Sequence, residues 1–248
     1  TGVKIGQRIA VSGVHGAWAE YFLAKAASVV PLPDAIDDQT AAQLLSMPLS
    51  ALVLLEFVGV QPGQWMIQNA ANGAVAKVVA MIAKSRQINV VNVVRRPDGI
   101  AELEALGIGN VVASADADWK DQVRAIVGTH PIVAAVDGVG GQSAGDLLSL
   151  LGENSVLVSF GAMSGEPLIV SGGDLIFKQA VVKGFWLGKI MQTTPPETIG
   201  RWIGELLQLV SAGHVTLQVG GIFDLADIRQ AATASAQAGR TRKILLRA

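Results

Sequence analysis

The chain has 248 residues, of which 50% are hydrophobic and 16% charged, and its formal net charge is −1. This length is enough for one large domain or two smaller ones with a proper core. The near-neutral charge gives no reason to expect nucleic acid or an anionic membrane as a partner, and no apolar run is long enough to span a membrane. Cysteine is absent, which excludes disulfides and thiolate-held zinc, and a cytoplasmic protein is the simplest expectation.

The first part of the chain, up to about residue 33, has the pattern of strands and turns and ends in Pro31-Leu32-Pro33. Thr1 is not an initiator residue, and no signal-peptide pattern follows it, so we expect the chain to begin inside a domain. Residues 37–57 are predicted to be helical, with a break at Pro48.

The middle of the chain, residues 65–184, alternates short β-branched runs with helical stretches. A helix is predicted at 74–85, where Val75, Val78 and Ile82 share one face at helical spacing. Strands separated by helices of this length indicate an α/β fold, a Rossmann doubly wound parallel sheet. The predicted strands are 65–69, 90–94, 110–113, 132–136, 155–160 and 181–184, and further helices end at 106, begin at 118 and cover about 144–151.

The last part of the chain is predicted to contain a helix from Pro196 through Val210, a strand at 218–221, a helix at about 225–238 and a strand at 243–246. We expect the first and last parts to form one discontinuous domain, residues 1–46 and 190–248. The Rossmann dinucleotide-binding domain, residues 47–189, is then inserted between its two halves.

A loop of small residues, 69–76, joins the first strand of the Rossmann block to its first helix. The pyrophosphate of a dinucleotide needs close approach to the backbone there and free N–H groups at the helix N-terminus. Asn72, Gly73, Ala74 and Val75 are therefore candidate cofactor-binding residues. The strict G-x-G-x-x-G is absent, and a tight turn without a ligand is the alternative; the strand before the loop and the helix after it favour the dinucleotide.

Two arginines, Arg95 and Arg96, stand at the end of the next predicted strand. An NAD enzyme usually places Asp or Glu there for the ribose 2′-hydroxyl, whereas guanidinium groups suit the 2′-phosphate of NADPH. A solvated basic turn, partly neutralised by Asp98, is the alternative. The arginine pair favours NADPH over NADH.

Glycine turns follow two later strands, at 137–141 and 160–163. Ligands of open α/β sheets bind at the carboxyl ends of the strands, so both turns are candidates for contact with the nicotinamide half of the cofactor. Ordinary turns use glycine as well, so neither turn by itself indicates contact with a cofactor.

Other chemical patterns are weaker. Tyr21 and Lys25 match the Tyr-x-x-x-Lys spacing of short-chain dehydrogenases, but they precede the glycine loop in a segment predicted as a strand, which favours a strand tyrosine over a catalytic one. His15, His130 and His214 lie far apart without metal-site spacing and are interpreted as turn or surface residues. No metal site is predicted.

Several segments carry a family resemblance. The segments at 2–10, GAWAEY at 16–21 and PLSA at 48–51 are typical of the medium-chain dehydrogenase/reductase superfamily, which the whole chain resembles. The segments IQNAAN (67–72), NVVR (92–95), LIFK (175–178) and GFWL (184–187) are similar to its zinc-free NADPH-dependent 2-enoyl thioester (enoyl-CoA/enoyl-ACP) reductases. The resemblance implies a Rossmann domain inserted in a discontinuous, GroES-like, β-rich catalytic domain that is N-terminally incomplete here.

The resemblance also implies roles for individual residues. Residues 72–75 would hold the pyrophosphate, Arg95 with Arg96 the 2′-phosphate, and Lys243 would contact the cofactor. The nicotinamide and acyl pocket would be lined by Phe160, Gly161, Ala162, Met163, Phe185, Trp186 and Leu187. The expected reaction is hydride transfer from NADPH to the β-carbon of an α,β-unsaturated thioester, with protonation of the α-carbon by a tyrosine or by water.

The sequence departs from the family at three places, one of which is the turn after the second predicted strand, where the chain is one residue shorter than the family pattern. Met47 stands where the family tends to have a cofactor-binding Asn. The family's proton-donating tyrosine falls in the part that is missing here, and Tyr21, the single tyrosine, does not align with it, so no catalytic residue is assigned. In the zinc members of the superfamily a cysteine ligand lies near the position of Ser46, and a serine there, with no cysteine anywhere in the chain, argues against catalytic and structural zinc alike.

Two alternatives to an enoyl reductase follow from the same residues. A zinc-free quinone oxidoreductase or an alkenal/enone reductase would have the same fold and cofactor. A non-catalytic NADPH-binding protein would fit the missing tyrosine and Met47. The resemblance further implies a homodimer that pairs through the edge strand at 181–184 and acts on a small acyl thioester, quinone or enone.

Overall fold

The computed structural model describes residues 3–237, 239 and 242–248. The chain divides into two compact units. The first unit runs to Ser50 and resumes at Pro196, and the second unit is Ala51–Pro195. The assignment of a catalytic role to the first unit and of cofactor binding to the second stays a prediction.

The N-terminal part of the chain contains two short strands and two helices. They are β1 (Ile9–Val11), β2 (Val29–Pro31), α1 (Asp38–Leu44) and α2 (Met47–Val58). The two strands pair antiparallel. Pro48 is the second residue of α2, in the first turn, where its missing N–H would have no partner in any case. The predicted helix break therefore lies just before Pro48.

Among the described residues, no single helix is both long and apolar enough to cross a membrane. Helices α1 and α2 meet those criteria of length and composition only when taken together, and they are bent by 47° at the break between them.

The second unit alternates strands with helices, as the sequence pattern predicts. Its strands are β3 (Trp65–Gln68), β4 (Asn89–Val94), β5 (Val111–Ala113), β6 (Ile132–Asp137), β7 (Val156–Ser159) and β8 (Val181–Gly184). Its helices are α3 (Ala74–Ser85), α4 (Asp98–Glu104), α5 (Trp119–Val127), α6 (Gly141–Leu150), α7 (Gly172–Lys178) and α8 (Leu187–Thr193). The sequence does not predict α7 and α8, each of which has only seven residues.

The six strands form one parallel sheet in the order β5-β4-β3-β6-β7-β8. This order confirms the predicted Rossmann-type doubly wound fold, with the change of direction between β3 and β6. Every residue of β4 after Asn89 is buried, and since successive side chains point to opposite faces, both faces of the sheet are covered there. Core residues such as Ile67, Val93, Val123 and Leu148 join the strands to α5 and α6.

The rest of the first unit consists of α9 (Pro196–Ser211), β9 (Val219–Asp224), α10 (Ile228–Ala236) and β10 (Lys243–Arg247). Strands β9 and β10 pair in parallel. The helix predicted at 225–238 begins as a short 3-10 turn, Leu225–Asp227, and continues as α10. Its predicted end at Ala238 lies outside the described residues.

Gly145, in the middle of α6, packs closely against Ile169, and a substitution at Gly145 tests this contact within the second unit. A Cβ at this position would overlap the carbonyl oxygen of Ile169. Gly145→Ala should therefore lower the free energy of unfolding by about 1–3 kcal/mol, the usual cost of overpacking, as measured by urea denaturation.

Gly204, in the middle of α9, offers a matched control because nothing lies within 4 Å of a Cβ added there. Gly204→Ala should raise the free energy of unfolding by about 0.5–1 kcal/mol, since alanine is the better helix former. A Gly145→Ala variant as stable as the wild type would contradict the close contact with Ile169.

Asp37 caps the N-terminus of α1, and the cap depends on its charge. The backbone N–H of Thr40 donates to Asp37 Oδ1 at 2.8 Å, and this bond holds the pKa of the carboxyl below its ordinary value. A lowered pKa gives stability that is present above the unfolded pKa and is lost as the pH falls through the folded one. Asp37→Ala should cost about 1 kcal/mol of unfolding free energy at neutral pH, and the difference should shrink in acid.

Asp37→Asn is the matched variant, because its amide oxygen can accept the same bond without titrating. The stability of this variant relative to Asp37→Ala should therefore not change with pH. Thermal unfolding followed from neutral pH to about pH 3 measures both differences. A wild-type advantage over Asp37→Ala that stays constant into acid would rule out the charged cap.

Candidate functional site

Loops follow the carboxyl ends of β3, β6 and β7, next to the place where the strand order changes direction. The second and third of these loops pack directly on each other. The N–H of Phe160 donates to the carbonyl of Asp137 at 2.9 Å, and a Cβ on Gly138 would lie 3.1 Å from the ring of Phe160. The N–H of Met163 donates to the carbonyl of Gly138 at 3.3 Å, and a Cβ on Gly161 would lie 2.7 Å from the same oxygen. Glycine at 138 and 161 is therefore what allows the contact.

The first loop turns tightly between β3 and α3. Ala70 has a φ of +47°, a left-handed conformation that residues other than glycine rarely adopt. The N–H of Gly73 donates to the carbonyl of Ala70 at 2.8 Å, and a Cβ on Gly73 would lie 3.0 Å from that oxygen. Gly73 is the N-cap of α3 and offers no side-chain bond to it. The first N–H groups of this 12-residue helix are thus available to an anion.

Two buried polar side chains join the first loop to the second. The amide nitrogen of Asn69 donates to Asp137 Oδ1, and the amide oxygen of Asn69 accepts from the N–H of Gly138 at 2.8 Å. Asp137 is fully buried and also accepts bonds from the N–H groups of Val139 and Gly140. The loops after β3 and β6 are therefore one hydrogen-bonded unit.

A second buried amide pair joins β3 to β4. Gln68 Nε2 donates to Asn92 Oδ1 at 2.7 Å and to the carbonyl of Ala76 in α3 at 2.9 Å. Asn92 Nδ2 donates in turn to the carbonyl of Gly109 at 2.8 Å. Sequence reasoning assigned no role to Gln68 or Asn92, and the signal it missed was a polar residue beside the apolar residues of each strand, at the end of β3 and within β4.

Arg95 and Arg96 lie in the turn after β4, and both are exposed. Arg96 Nε lies 3.4 Å from Asp98 Oδ1, an exposed pair of little energetic weight. Within the described part of the chain the side chain of Arg95 has no hydrogen bond or ion pair. Arg95 is therefore the guanidinium more available to a phosphate.

The residues predicted to line a pocket after β7 and β8 differ in exposure. Phe185 is buried, and its ring packs edge-on against Phe57 with the centroids 5.5 Å apart. Trp186 and Met163 are exposed, and Leu187 is partly buried. Phe185 thus supports the loop from the interior, while the other three side chains remain accessible to a ligand.

Three residues singled out in the sequence belong to the first unit, whereas the loops described above belong to the second. Lys243 is the first residue of β10, Met47 is the first residue of α2, and Ser46 immediately precedes α2. The contact of Lys243 with a cofactor stays a prediction.

The prediction of a strand around Tyr21 and Lys25 is wrong. Tyr21 lies in a bend and is 89% exposed, and Lys25 lies just before a short 3-10 turn. Among the described residues no strand pairs with this segment. Without a strand or a helix between Tyr21 and Lys25, nothing holds them together as a catalytic pair.

A cleft with a volume of about 560 Å³ lies within the first unit. Strands β1 and β10 line it, together with Trp18 and Phe22. Arg8 and Asp38, which form an ion pair at 2.6 Å, also contribute to its wall. The loops after β3, β6 and β7 do not line this cleft, so it is a feature separate from the dinucleotide motif.

These features define a Rossmann-type unit, and comparison with known proteins specifies the family. The family model described as zinc-binding dehydrogenase matches residues 74–204, more than half of the chain. The chain belongs to this family, within the medium-chain dehydrogenase/reductase superfamily. It contains no cysteine, and among the residues described no group of three or more His, Asp or Glu is arranged to hold a metal ion.

Curated relatives resemble the chain over most of its length. It is 31% identical over 237 residues to the mitochondrial enoyl-acyl-carrier-protein reductase of Dictyostelium discoideum, with 93% of this chain and 65% of the relative covered. It is 30% identical over 241 residues to the human protein of the same name, with 95% and 65% covered. The chain therefore spans about 65% of the length of these relatives.

Solved structures share the fold. A putative NADPH:quinone reductase from Bacillus thuringiensis has a TM-score of 0.87 and 26% identity, with 97% of this chain and 73% of that one covered. A mitochondrial 2-enoyl thioester reductase heterodimer from Candida tropicalis has a TM-score of 0.76 and 22% identity, with 86% and 66% covered. At 22% identity the second likeness shows the fold alone.

Proposed function

We propose that this chain binds NADPH and reduces the C=C bond of a 2-enoyl thioester, such as an acyl-CoA or acyl-carrier-protein substrate. The proposal rests on the carboxyl edge of the sheet. There the N-terminus of α3 has no side-chain cap and Arg95 has no side-chain partner in the described part of the chain, and the two follow adjacent strands. The names of the curated relatives support the choice of substrate.

The loops fit a dinucleotide because their small residues leave the backbone N–H groups accessible. Residues 72–75 would hold the pyrophosphate with the first N–H groups of α3, since Gly73 carries no side chain to block them. Arg95, with Arg96 beside it, would bind the 2′-phosphate. The loop at 160–163 would pack along the nicotinamide, with Trp186 and Leu187 at the acyl pocket and Phe185 behind them.

The bound cofactor would supply a hydride to the β-carbon of the substrate, and the α-carbon would gain a proton. The chain's own part is to orient the reactants through its loops and to exclude water with apolar side chains such as Met163 and Trp186. Tyr21 is not the proton donor in this proposal, because its side chain is exposed and unsupported. The proton would come from a family tyrosine without a counterpart in this chain, or from water.

Coenzyme preference tests the role of Arg95. Arg95→Gln should weaken NADPH binding at least tenfold, because a charge-assisted bond to the 2′-phosphate is lost, and should leave the weaker binding of NADH unchanged. Titration of nicotinamide fluorescence measures both dissociation constants.

Arg124 provides a control because it is an exposed arginine on α5, paired with Asp121 on its own helix. Arg124→Gln should bind both coenzymes like the wild type. If Arg95→Gln weakens the binding of NADPH and NADH equally, Arg95 does not bind the 2′-phosphate.

A quinone reductase is the second candidate, and the Bacillus thuringiensis structure favours it because its fold matches at a TM-score of 0.87. Both activities consume NADPH, so the substrate must separate them. The purified chain should oxidise NADPH in the presence of crotonyl-CoA and should do so at least tenfold more slowly with a quinone, as measured by nicotinamide absorbance.

Faster oxidation of NADPH with a quinone than with crotonyl-CoA would support the quinone reductase instead of the enoyl reductase. Tight NADPH binding without oxidation by enoyl thioesters, enones or quinones would support a non-catalytic NADPH-binding protein instead.

We also propose a homodimer that pairs through β8, as the family resemblance implies. β8 is an edge strand of the sheet, and Val181 on it is exposed, as are Ile176 and Phe177 on the adjacent α7. An exposed apolar edge of this kind is suited to pairing with a second copy. The cytoplasmic location stays a prediction, and the relatives carry "mitochondrial" in their names.

A further inference from the structure

We infer that Asn69 and Asp137 form a clamp that positions the first loop, so that this buried pair sets the affinity for the pyrophosphate half of the cofactor. The inference rests on the proposed NADPH binding. Asn69 is 3% exposed and Asp137 is 0% exposed, so both are positioning residues that act through the loop backbone rather than by touching the ligand.

All the side-chain bonds of Asn69 go to the neighbouring strand and its helix. Its amide nitrogen donates to Asp137 Oδ1 and to Ser143 Oγ, the latter at 2.9 Å, and its amide oxygen accepts from the N–H of Gly138 at 2.8 Å. Asp137 is the last residue of β6, and Ser143 lies in the first turn of α6. The side chain of Asn69 thus fixes the end of β3 against the end of β6 and makes no bond within its own loop.

The charge of Asp137 is balanced by N–H dipoles. Its Oδ1 accepts from the N–H groups of Val139 and Gly140 at 3.1 Å, and its Oδ2 accepts from Gly140 at 3.1 Å. No cation contacts it among the described residues, and Asn69 is the one side-chain donor that the structure shows for it. A buried carboxylate depends on such donors, so losing the amide of Asn69 leaves it short of a bond it cannot obtain from water.

The clamp controls the strained residue of the first loop, because Ala70 directly follows Asn69. The backbone on each side of Ala70 is tied to a different strand. The N–H of Asn69 donates to the carbonyl of Val136 at 3.2 Å, and the N–H of Ala71 donates to the carbonyl of Val93 at 3.1 Å. The side chain of Asn69 adds a third attachment next to these two backbone bonds. We expect its loss to loosen the left-handed turn at Ala70 and, with it, the direction of the N–H groups at the start of α3.

An exchange of the two residues tests the clamp. Asn69→Asp places two carboxylates together, and Asp137→Asn removes the charge that the N–H groups face. Each single variant should raise the dissociation constant of NADPH about tenfold, the effect of one lost charge-assisted bond. The double variant N69D/D137N restores one amide and one carboxylate to the pair, and it should recover most of the affinity.

Adenosine 2′-monophosphate separates positioning from general damage, because it carries the 2′-phosphate but no pyrophosphate. Its dissociation constant, measured by calorimetry on the full chain, should stay the same in all four proteins. Asp146→Asn is the control: it breaks the 2.7 Å ion pair that Asp146, in the middle of α6, forms with Lys120, and should not change NADPH binding.

Single variants that bind NADPH like the wild type would overturn the clamp, as would equal losses for both ligands or an exchange variant that recovers nothing. If the single variants do not fold, the exchange variant decides, since a tenfold loss in that folded protein would count against the clamp. A wild-type chain that binds no NADPH would overturn the proposed cofactor together with the clamp.

Discussion

Strands β3 and β6 lie side by side in parallel, and the chain leaves this pair toward opposite edges of the sheet. The helices that follow them therefore diverge, and the carboxyl ends of the two strands are left without a crossover above them. Because the sheet is covered on both faces, polar groups at these ends must find partners in the loops themselves. The bond between Asn69 and Asp137 follows from this one pairing.

A regular spacing of apolar residues in the sequence predicts those helices and strands that bury one face against the core. Helix α3 was predicted to the residue because its valines and isoleucine repeat at helical spacing, and β8 because turn residues bound a short β-branched run. Helices α7 and α8 were missed because each has only seven residues, with glycines near its start. The segment around Tyr21 has a short apolar run that predicts a strand, and the absence of a partner strand among the described residues is not visible in that run.

Within the candidate site, sequence reasoning located the loops but not the bonds that hold them. The small residues of the loops and the two arginines can each be recognised in the sequence without knowledge of their neighbours in space. The pairing of Asn69 with Asp137 joins residues that are 68 positions apart, and the Gln68–Asn92 pair joins residues 24 positions apart. Such pairs depend on strand order, which only the three-dimensional structure supplies. The same limit applies to the ion pair of the buried Lys77 with Glu102, between α3 and α4.

The turn after β4 has an evolutionary consequence. Arg95 is tied to the protein there through its carbonyl oxygen, which accepts from the N–H of Ala115, while its side chain has no partner among the described residues. The side chain at this position therefore adds no hydrogen bond to the turn or to the loop after β3 among the described residues. Under the proposed NADPH binding, preference between the two nicotinamide coenzymes would be a trait that drift or selection can change at Arg95, independently of the loop after β3.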